Sequence, residues 1–598
     1  MLNDRQKEAV EHGEGPLLMA AGAGSGKTRA LTSRLRFLIE RGTAPERIVA
    51  ITFTNKAADQ MYEQVFNTKK RSAGDLPTIG KPFIGTFHSF GLRILKNEIQ
   101  KTDRRPGFSI YDDDDSSRMV RHIIKELDLP REHYRPAVLK AKISRIKSEL
   151  QNPEMLKESS SEEDQILYEA HRRYEEKLEK SNAFDFDDLI AKTILLLQKN
   201  PEVLKQYQDL FDYVLVDEYQ DINRSQYELV RLLVKKHQNL NVVGDDAQSI
   251  YRFRGADYRN FLNFARDWPN AKIVKLEQAY RSTKTIIAAA NALIANNTKQ
   301  TPKTLWTDNA SGEPIQVISA GSQEDEALWL ASEIQALRRK HPKQSVAVLY
   351  RTNAQSRAVE QALLQYGISY KIFGGPRFYD RKEVKDVVAA LRFTVNPFDQ
   401  SAKERIETSL GKRRSAPFFN QVEEGHIAPN SLGRIEIFLD AVGYKEWLKD
   451  KYLNAPERLE NISELISFAL QYDENPEELL ERISLLQASD KIDDQISNPD
   501  VLLMTVHISK GLEFDTVFVI GLSEGILPHE KSMLKSDEVE EERRLMYVAI
   551  TRAKNRLYFS YFFTPSRFLY EIPDELCQFQ NSDGRDYWLP DEDEMYID

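Results

Sequence analysis

Cysteine is all but missing from this sequence, with one, Cys577, in 598 residues. A single thiol excludes an internal disulfide framework and a zinc site built from several cysteines, fits a reducing cytoplasm, and leaves Cys577 a packing role. Long apolar runs are missing too: no stretch reaches the ~20 apolar residues of a bilayer-spanning helix, so no membrane role is indicated. The start, Met1-Leu2-Asn3-Asp4-Arg5-Gln6, has no basic segment followed by an apolar one, and nothing in it supports secretion. Positive charge is not in excess either, since 83 Lys and Arg stand against 93 Asp and Glu for a formal net charge of −10. That sum alone would argue against a polyanionic partner, but distribution outweighs it. The acids cluster at Asp112 to Asp115, Glu162-Glu163-Asp164 and the Asp591-to-Glu594 tail, as solvated surface runs that leave room for a basic groove elsewhere. Low-complexity linkers and short internal repeats are absent as well.

What is present suffices for several cores. A chain of 598 residues, 41% hydrophobic and 29% charged, reads as a soluble protein of about three to five units of ~100–200 residues each. Leu17-Leu18-Met19 precedes a glycine-rich turn, Leu31, Leu35, Leu38 and Ile39 then recur at helical spacing, and Ile48 to Phe53 reads as the next strand. This alternation is the grammar of a parallel sheet with helices on its faces. From about residue 96 the strand signals nearly vanish, and Leu139, Ile143, Ile146 and Leu150 form one apolar helical stripe. Strands return at Tyr213 to Val216, Leu240 to Val243 and Ile273 to Leu276, then near Ile315 and at Val346 to Tyr350. After a second helical, charged stretch they return at Leu502 to Val506, Val517 to Ile520 and Leu557 to Phe559. The simplest parse is an α/β domain at 1–95 and 183–279, split by an all-helical insertion at 96–182. A second α/β domain at 280–392 and 499–565 is split by a helical insertion at 393–498, and 566–598 is a C-terminal tail.

Ala21-Gly22-Ala23-Gly24-Ser25-Gly26-Lys27-Thr28 lies between an expected strand and an expected helix, the context that a phosphate-binding loop requires. Small residues let successive backbone N–H groups curl round phosphates, and the helix N-terminus adds its positive dipole end. Lys27 can reach the β and γ phosphates, and Thr28 offers a hydroxyl to Mg²⁺. Ala21 stands where the strict motif has glycine. Tyr213-Val214-Leu215-Val216-Asp217-Glu218 ends an apolar strand in two acids, Asp217 to hold Mg²⁺ and Glu218 to polarise water for attack on the γ-phosphate. Loop and acid pair together signal nucleotide hydrolysis rather than transfer to a small substrate.

Further segments join these two. They are Ile51 to Ala58, Gly85-Thr86-Phe87-His88-Ser89-Phe90, Phe184-Asp185-Phe186-Asp187-Asp188-Leu189, Val216 to Asp221, Gly244 to Ala256, Tyr280-Arg281-Ser282-Thr283, Tyr350-Arg351-Thr352-Asn353, Thr505-Val506-His507, Lys510 to Phe514, Glu541 to Leu545 and Ala549 to Lys554. Together with Leu2-Asn3 and Gln6, in content and order they make the chain closely resemble the UvrD/Rep/PcrA group of superfamily 1 DNA helicases, from residue 2 to residue 554. The resemblance implies two recA-like P-loop α/β domains with parallel sheets, each carrying a mainly α-helical insertion, and an ATP site at the cleft between them. It implies ATP with Mg²⁺ as cofactor and single-stranded DNA or single/double-strand junctions as partner. By that resemblance Arg281 and Arg552 grip the γ-phosphate, Gln248 senses it, Gln6 and Arg29 contact the adenine side, Tyr280 stacks on the base and Glu513 meets the ribose.

DNA contact calls for aromatics that stack on bases and cations that follow phosphates. The resemblance assigns this to Phe53, Asn55, His88, Phe186, Tyr251, Phe253, Arg254, Arg351, His507 and His529. Phe253 replaces a usual tryptophan, Ala279 a frequent asparagine, and Ile508-Ser509 a pair of small residues before Lys510. The insertion at 393–498 is shorter than the family norm, with Asn396-Pro397-Phe398-Asp399 and Leu410-Gly411-Lys412-Arg413 as remnants of a duplex-contacting part. The expected activity is 3′-to-5′ translocation with unwinding, in DNA repair or replication, by a cytoplasmic monomer or DNA-induced dimer. Two rivals stay open, a translocase that displaces proteins but unwinds weakly and a DNA-binding scaffold whose nucleotide site has decayed. The ~45 residues after the Arg552 segment leave no room for a nuclease domain.

Overall fold

Fully buried parallel strands show as continuous apolar runs because both faces of the sheet are covered, and the first such run, Leu17–Ala21 (β1), is buried at every position. The computed structural model of the protein describes residues 2–66, 80–111, 113–130, 133–373, 378–397, 399–480, 483 and 500–582. Asp112, Phe398 and the Asp591-to-Glu594 run lie outside the described residues. The chain forms two compact units, one of residues 1–281 with 297–309, the other of 282–296 with 310–598.

In the first unit β1 joins Ile48–Thr52 (β2), Phe83–Thr86 (β3), Tyr213–Val216 (β6), Leu240–Gly244 (β7) and Lys272–Leu276 (β8) in a sheet ordered β3-β2-β6-β7-β1-β8. Every pairing is parallel. Side chains alternate strictly between two cores: Leu17, Met19 and Ala21 pack with Ala30, Leu31, Leu35 and Leu38 of the helix Lys27–Glu40, while Leu18 and Ala20 face Phe90, Ile94, Leu189 and Ile194. Truncating a fully buried leucine such as Leu35 to alanine would cost ~2–5 kcal/mol.

The helices Asp113–Glu126, Pro136–Ser148 and Glu162–Lys180 form the insertion, with Leu139, Ile143 and Ile146 buried along one stripe. It is not all-helical as the sequence suggests. Ser109–Tyr111 (β4) pairs in parallel with Ala183–Asp185 (β5) where the insertion rejoins the sheet domain. β4 has only three residues, none of them buried, so it carries no periodic signal.

The second unit holds Ile315–Ala320 (β9), Val346–Tyr350 (β10), Tyr370–Ile372 (β11), Val501–Thr505 (β12), Phe514–Val519 (β13), Ala553–Phe562 (β14) and Cys577–Asn581 (β15). Their order is β11-β12-β10-β13-β14-β9-β15, again all parallel. β15 is a further departure from expectation. The segment past residue 565 is no mere tail but adds an edge strand beside β9, unreadable beforehand because Cys-Gln-Phe-Gln-Asn carries no apolar run. Between β11 and β12 the described residues are helical and share one core that includes Phe393, Phe418, Phe438, Trp447 and Phe468. In it Gly411, at φ 83°, joins the helices Gln400–Leu410 and Lys412–Glu423, and Asp399 caps the first through the Ala402 N–H.

Candidate nucleotide and nucleic-acid sites

In a parallel α/β sheet the loops after the carboxyl ends of the strands gather on one edge and form the binding edge. The candidate residues of the first unit follow this rule. The glycine-rich loop leaves β1, Phe53 and Asn55 leave β2, His88 leaves β3, Asp217 and Glu218 leave β6, Asp245 to Phe253 leave β7, and Tyr280 and Arg281 leave β8.

The loop turns through Gly24 and Gly26 at φ 71° and 79°, left-handed values that side-chain-bearing residues rarely adopt. Ala21 needs no such freedom. It is the last residue of β1, in register with Leu276, so alanine in place of glycine costs nothing there. Gly22 N–H donates to Leu276 O at 3.0 Å, Ser25 Oγ donates to Gly22 O at 2.9 Å, and Tyr280 N–H donates to Gly24 O at 3.0 Å. Ala23 is buried within this loop, and Arg281 packs on Gly24, where an added Cβ would lie 2.9 Å from the arginine Cβ.

At the helix start, Lys27 Nζ lies 3.1 Å from Glu218 Oε2, and Thr28 Oγ1 donates to Asp217 Oδ2 at 3.3 Å. The sequence-predicted cation, hydroxyl and acid pair therefore meet in one place. Glu218 has φ 51°, a strained left-handed conformation for a non-glycine residue of the kind that concentrates at working sites. Burial, with Glu218 adding to it, pushes the Asp217 carboxyl up to about 7 against the pull of Lys27. A hydroxyl and a carboxylate are hard oxygen donors suited to Mg²⁺, which is held by one or two protein oxygens and otherwise by phosphates and water.

Gln6 is 1% exposed, its amide accepting from the Asn3 N–H at 3.0 Å and donating to Ser25 O at 2.9 Å. Gln6 thus braces the loop from the capping box of the helix Asp4–Val10. Asn3, which the sequence reading left without a role, also donates to the Tyr280 hydroxyl at 2.8 Å and so sets the half-exposed Tyr280 ring beside the loop. Arg29 is exposed.

The aromatic residues assigned to DNA form two groups at the same edge. Phe53 and Tyr251 stack at 5.4 Å and 10°, and Phe253, 67% exposed, meets Tyr251 edge-on at 6.0 Å. His88 meets Phe186, 54% exposed, edge-on at 5.6 Å. Burial pushes the His88 imidazole down, toward the neutral form. Asn55 is exposed at the first turn of the helix Asn55–Phe66; the Arg254 side chain lies outside the described residues.

Against this geometry, the UvrD/REP helicase N-terminal domain matches residues 2–269, and the UvrD-like helicase C-terminal domain matches residues 274–428 and 441–564. The chain belongs to the UvrD/REP helicase family. It is 41% identical to the ATP-dependent DNA helicase PcrA of Bacillus subtilis (strain 168), over 96% of this chain and 86% of that protein. It is 38% identical to proteins of the same name from Staphylococcus aureus (strain Mu50) and Staphylococcus epidermidis, over 98% of this chain and 88% of each.

The second unit of this helicase-family chain carries its candidates at two edges. Glu513 and Arg552 lie at the amino ends of β13 and β14. Arg552 is 1% exposed and donates to Val548 O and Leu512 O at 3.0 Å and to Thr551 Oγ1 at 3.1 Å, whereas the exposed Glu513 pairs with Lys554 at 2.9 Å. Ser282 Oγ donates to Ala553 O beside them. At the carboxyl ends stand Arg351, half-buried His507 and His529. Arg351 makes a two-pronged pair with Glu542, and Glu542 also accepts the His529 N–H at 3.1 Å. Ser509, a departure from the family pattern, is buried and donates to Val506 O at 2.7 Å; buried Ala279 donates its N–H to Trp306 O.

Two further residues have a place here: Gln220, part of the Val216-to-Asp221 segment, and Lys303, which carries no local sequence signal. Gln220 donates to Glu218 Oε2 at 2.5 Å and accepts the Asp245 N–H at 3.0 Å, and Asp245 Oδ2 in turn accepts from Gln248 at 2.6 Å. Lys303, buried, pairs with Asp245 at 2.7 Å and with Asp246.

Proposed function

We propose that the protein is an ATP-dependent DNA helicase that moves 3′ to 5′ on single-stranded DNA and unwinds duplex, in repair or replication. The observation that carries this reading is the union, on one sheet edge, of the Lys27–Glu218 and Thr28–Asp217 pairs with the two exposed ring groups ending in Phe253 and Phe186. A nucleotide enzyme without a polynucleotide track has no use for such rings. Family membership and the relatives named as ATP-dependent DNA helicases support the same conclusion.

ATP phosphates bind the loop N–H groups and Lys27, and Glu218, released from Lys27, orients the attacking water. Thr28 and Asp217 would hold Mg²⁺, whose chemistry is neutralisation of the phosphate oxygens. Arg281, beside the loop, and Arg552, from the second unit, are assigned to charge developing on the γ-phosphate. For Arg552 this means exchanging backbone carbonyl acceptors for phosphate. Tyr280 stacks on the base, Gln6 and Arg29 take the adenine side, Glu513 the ribose, and Gln248 reads the γ-phosphate. Asn55, Arg254, Arg351, His507 and His529 complete the DNA path.

The test is ATPase with and without oligo(dT), run beside strand displacement on 3′- and 5′-tailed duplexes. The reading expects stimulation by oligo(dT) and unwinding of the 3′-tailed substrate alone; absence of stimulation overturns it. The short insertion at 393–498 favours a second reading, a translocase that strips proteins and unwinds weakly. Streptavidin displacement from a single strand that outpaces unwinding would select it.

A further inference from the structure

The insertion reaches the turn that carries Phe186 through Lys147. Lys147, in the last turn of the helix Pro136–Ser148, is buried with its Nζ 2.7 Å from Asp185 Oδ2, 2.9 Å from Asp188 Oδ1 and 2.7 Å from Glu175. Asp185 and Asp188 are the two ends of the turn between β5 and the helix Asp188–Lys199, and they close it reciprocally. Asp188 N–H donates to Asp185 Oδ1 at 2.8 Å, and Asp185 N–H donates to Asp188 Oδ2 at 3.3 Å. Phe186 projects from this turn, exposed, toward His88.

Two adjacent buried carboxylates repel each other unless a cation sits between them. Burial, Asp185 and Glu175 push the Asp188 carboxyl up to about 7, and Lys147 pulls against them. Lys192 pairs with Glu175, and Lys147 is the ammonium in direct contact with both Asp185 and Asp188. We infer that Lys147 is a positioning residue for DNA binding: it pins the two ends of the Asp185–Asp188 turn and thereby holds Phe186 at the angle from which it stacks on a base. The inference rests on the proposed function, in which Phe186 touches single-stranded DNA.

The test is a double-mutant cycle of Lys147→Met and Phe186→Ala, read as the oligo(dT) concentration that half-saturates ATPase. Lys147→Met is expected to raise that concentration about tenfold, the loss of one stacked base. The rate at saturating oligo(dT) and the KM for ATP should stay within about twofold, because the turn touches no residue of the phosphate loop. In the Phe186→Ala background the same substitution should add less than about twofold, since nothing is left to position. A wild-type half-saturation in Lys147→Met, or a full tenfold loss on top of Phe186→Ala, overturns the inference. A cavity of about 560 Å³ opens beside Lys147, Glu175 and Asp188, so water can take the place of the lost ammonium. Should Lys147→Met still fail to fold, Asp188→Asn carries the same expectation, because one amide oxygen cannot serve both Lys147 and the Asp185 N–H in their present places. A wild-type enzyme that oligo(dT) does not stimulate would instead remove the functional reading itself, a result visible before any variant is made.

Discussion

Gly91 sits where the helix Phe87–Asn97 crosses the helix Asp188–Lys199, and a Cβ there would fall 2.0 Å from Leu189 O, 2.9 Å from Leu189 C and 3.2 Å from Thr193 Oγ1. Side-chain carbons do not come within 3.0 Å of such atoms, so Gly91→Ala must drive the two helices apart by at least about 1 Å. The obstacle is backbone, which cannot rotate away. Overpacking of this kind costs ~1–3 kcal/mol, and replacing a mid-helix glycine by alanine returns ~0.5–1 kcal/mol. The net expectation is a loss of about 1–2 kcal/mol in stability.

The same displacement has a functional reading. His88 lies one helical turn before Gly91, and Phe186 stands at the start of the opposing helix, so the crossing sets their 5.6 Å contact. Separating the helices pulls this ring pair apart, and the oligo(dT) concentration for half-maximal binding should rise about fivefold, within the range for one stacked base. Urea unfolding and fluorescence anisotropy of labelled oligo(dT) read the two effects separately. Gly13→Ala is the control, since nothing lies within 4 Å of a Cβ at Gly13. If Gly91→Ala unfolds at the wild-type urea concentration and binds oligo(dT) like wild type, then neither the crossing nor the pairing it sets has the importance argued for it.

Lys27→Ala should keep single-strand binding and lose DNA-stimulated ATPase by about 10²-fold or more; phosphate release at the wild-type rate would overturn the site assignment. Because the Asp217 carboxyl is pushed up to about 7, a proton competes there with Mg²⁺ on the acid side. The half-saturating Mg²⁺ for ATPase should therefore rise about tenfold from pH 8 to pH 6, and a pH profile identical to that of Asp217→Asn counts against this. Phe253→Trp should tighten oligo(dT) binding about two- to fivefold, because Phe253 is 67% exposed and a larger ring adds stacking area. Anisotropy titration decides, and weaker binding would show the exposed ring to be confined.

What the sequence made legible has a physical pattern. β1, β6, β7 and β10 stood out because interior parallel strands are buried on both faces and leave apolar runs. β4, β11 and β15 did not, being short or at sheet edges where one side of the ladder is unpaired and side chains are mixed. In the sites, Lys27, Thr28, Asp217 and Glu218 were legible because each sits in a local string whose chemistry demands that order. The partners that brace them were not. Asn3 reaches Tyr280, Lys303 reaches Asp245, and Lys147 reaches Asp185 and Asp188, all across sequence distances over which no periodicity or motif spacing operates. Charge balance in a buried cluster is a property of three dimensions, and only the folded chain reveals it.

Under the proposed function, the route within the first unit from nucleotide to DNA runs through Gln220. Its side chain ties Glu218 to Asp245, Asp245 holds Gln248, and its own carbonyl accepts from Ser249 Oγ at 3.2 Å, two residues before the ring of Tyr251. When phosphate takes Lys27 from Glu218, the glutamate keeps Gln220 as its partner, and any change in its position is passed to the segment that carries Tyr251 and Phe253. A network of this kind couples binding at two sites by ~1–3 kcal/mol, so under the proposed function it would change the affinity for ATP on DNA binding by roughly 5- to 150-fold.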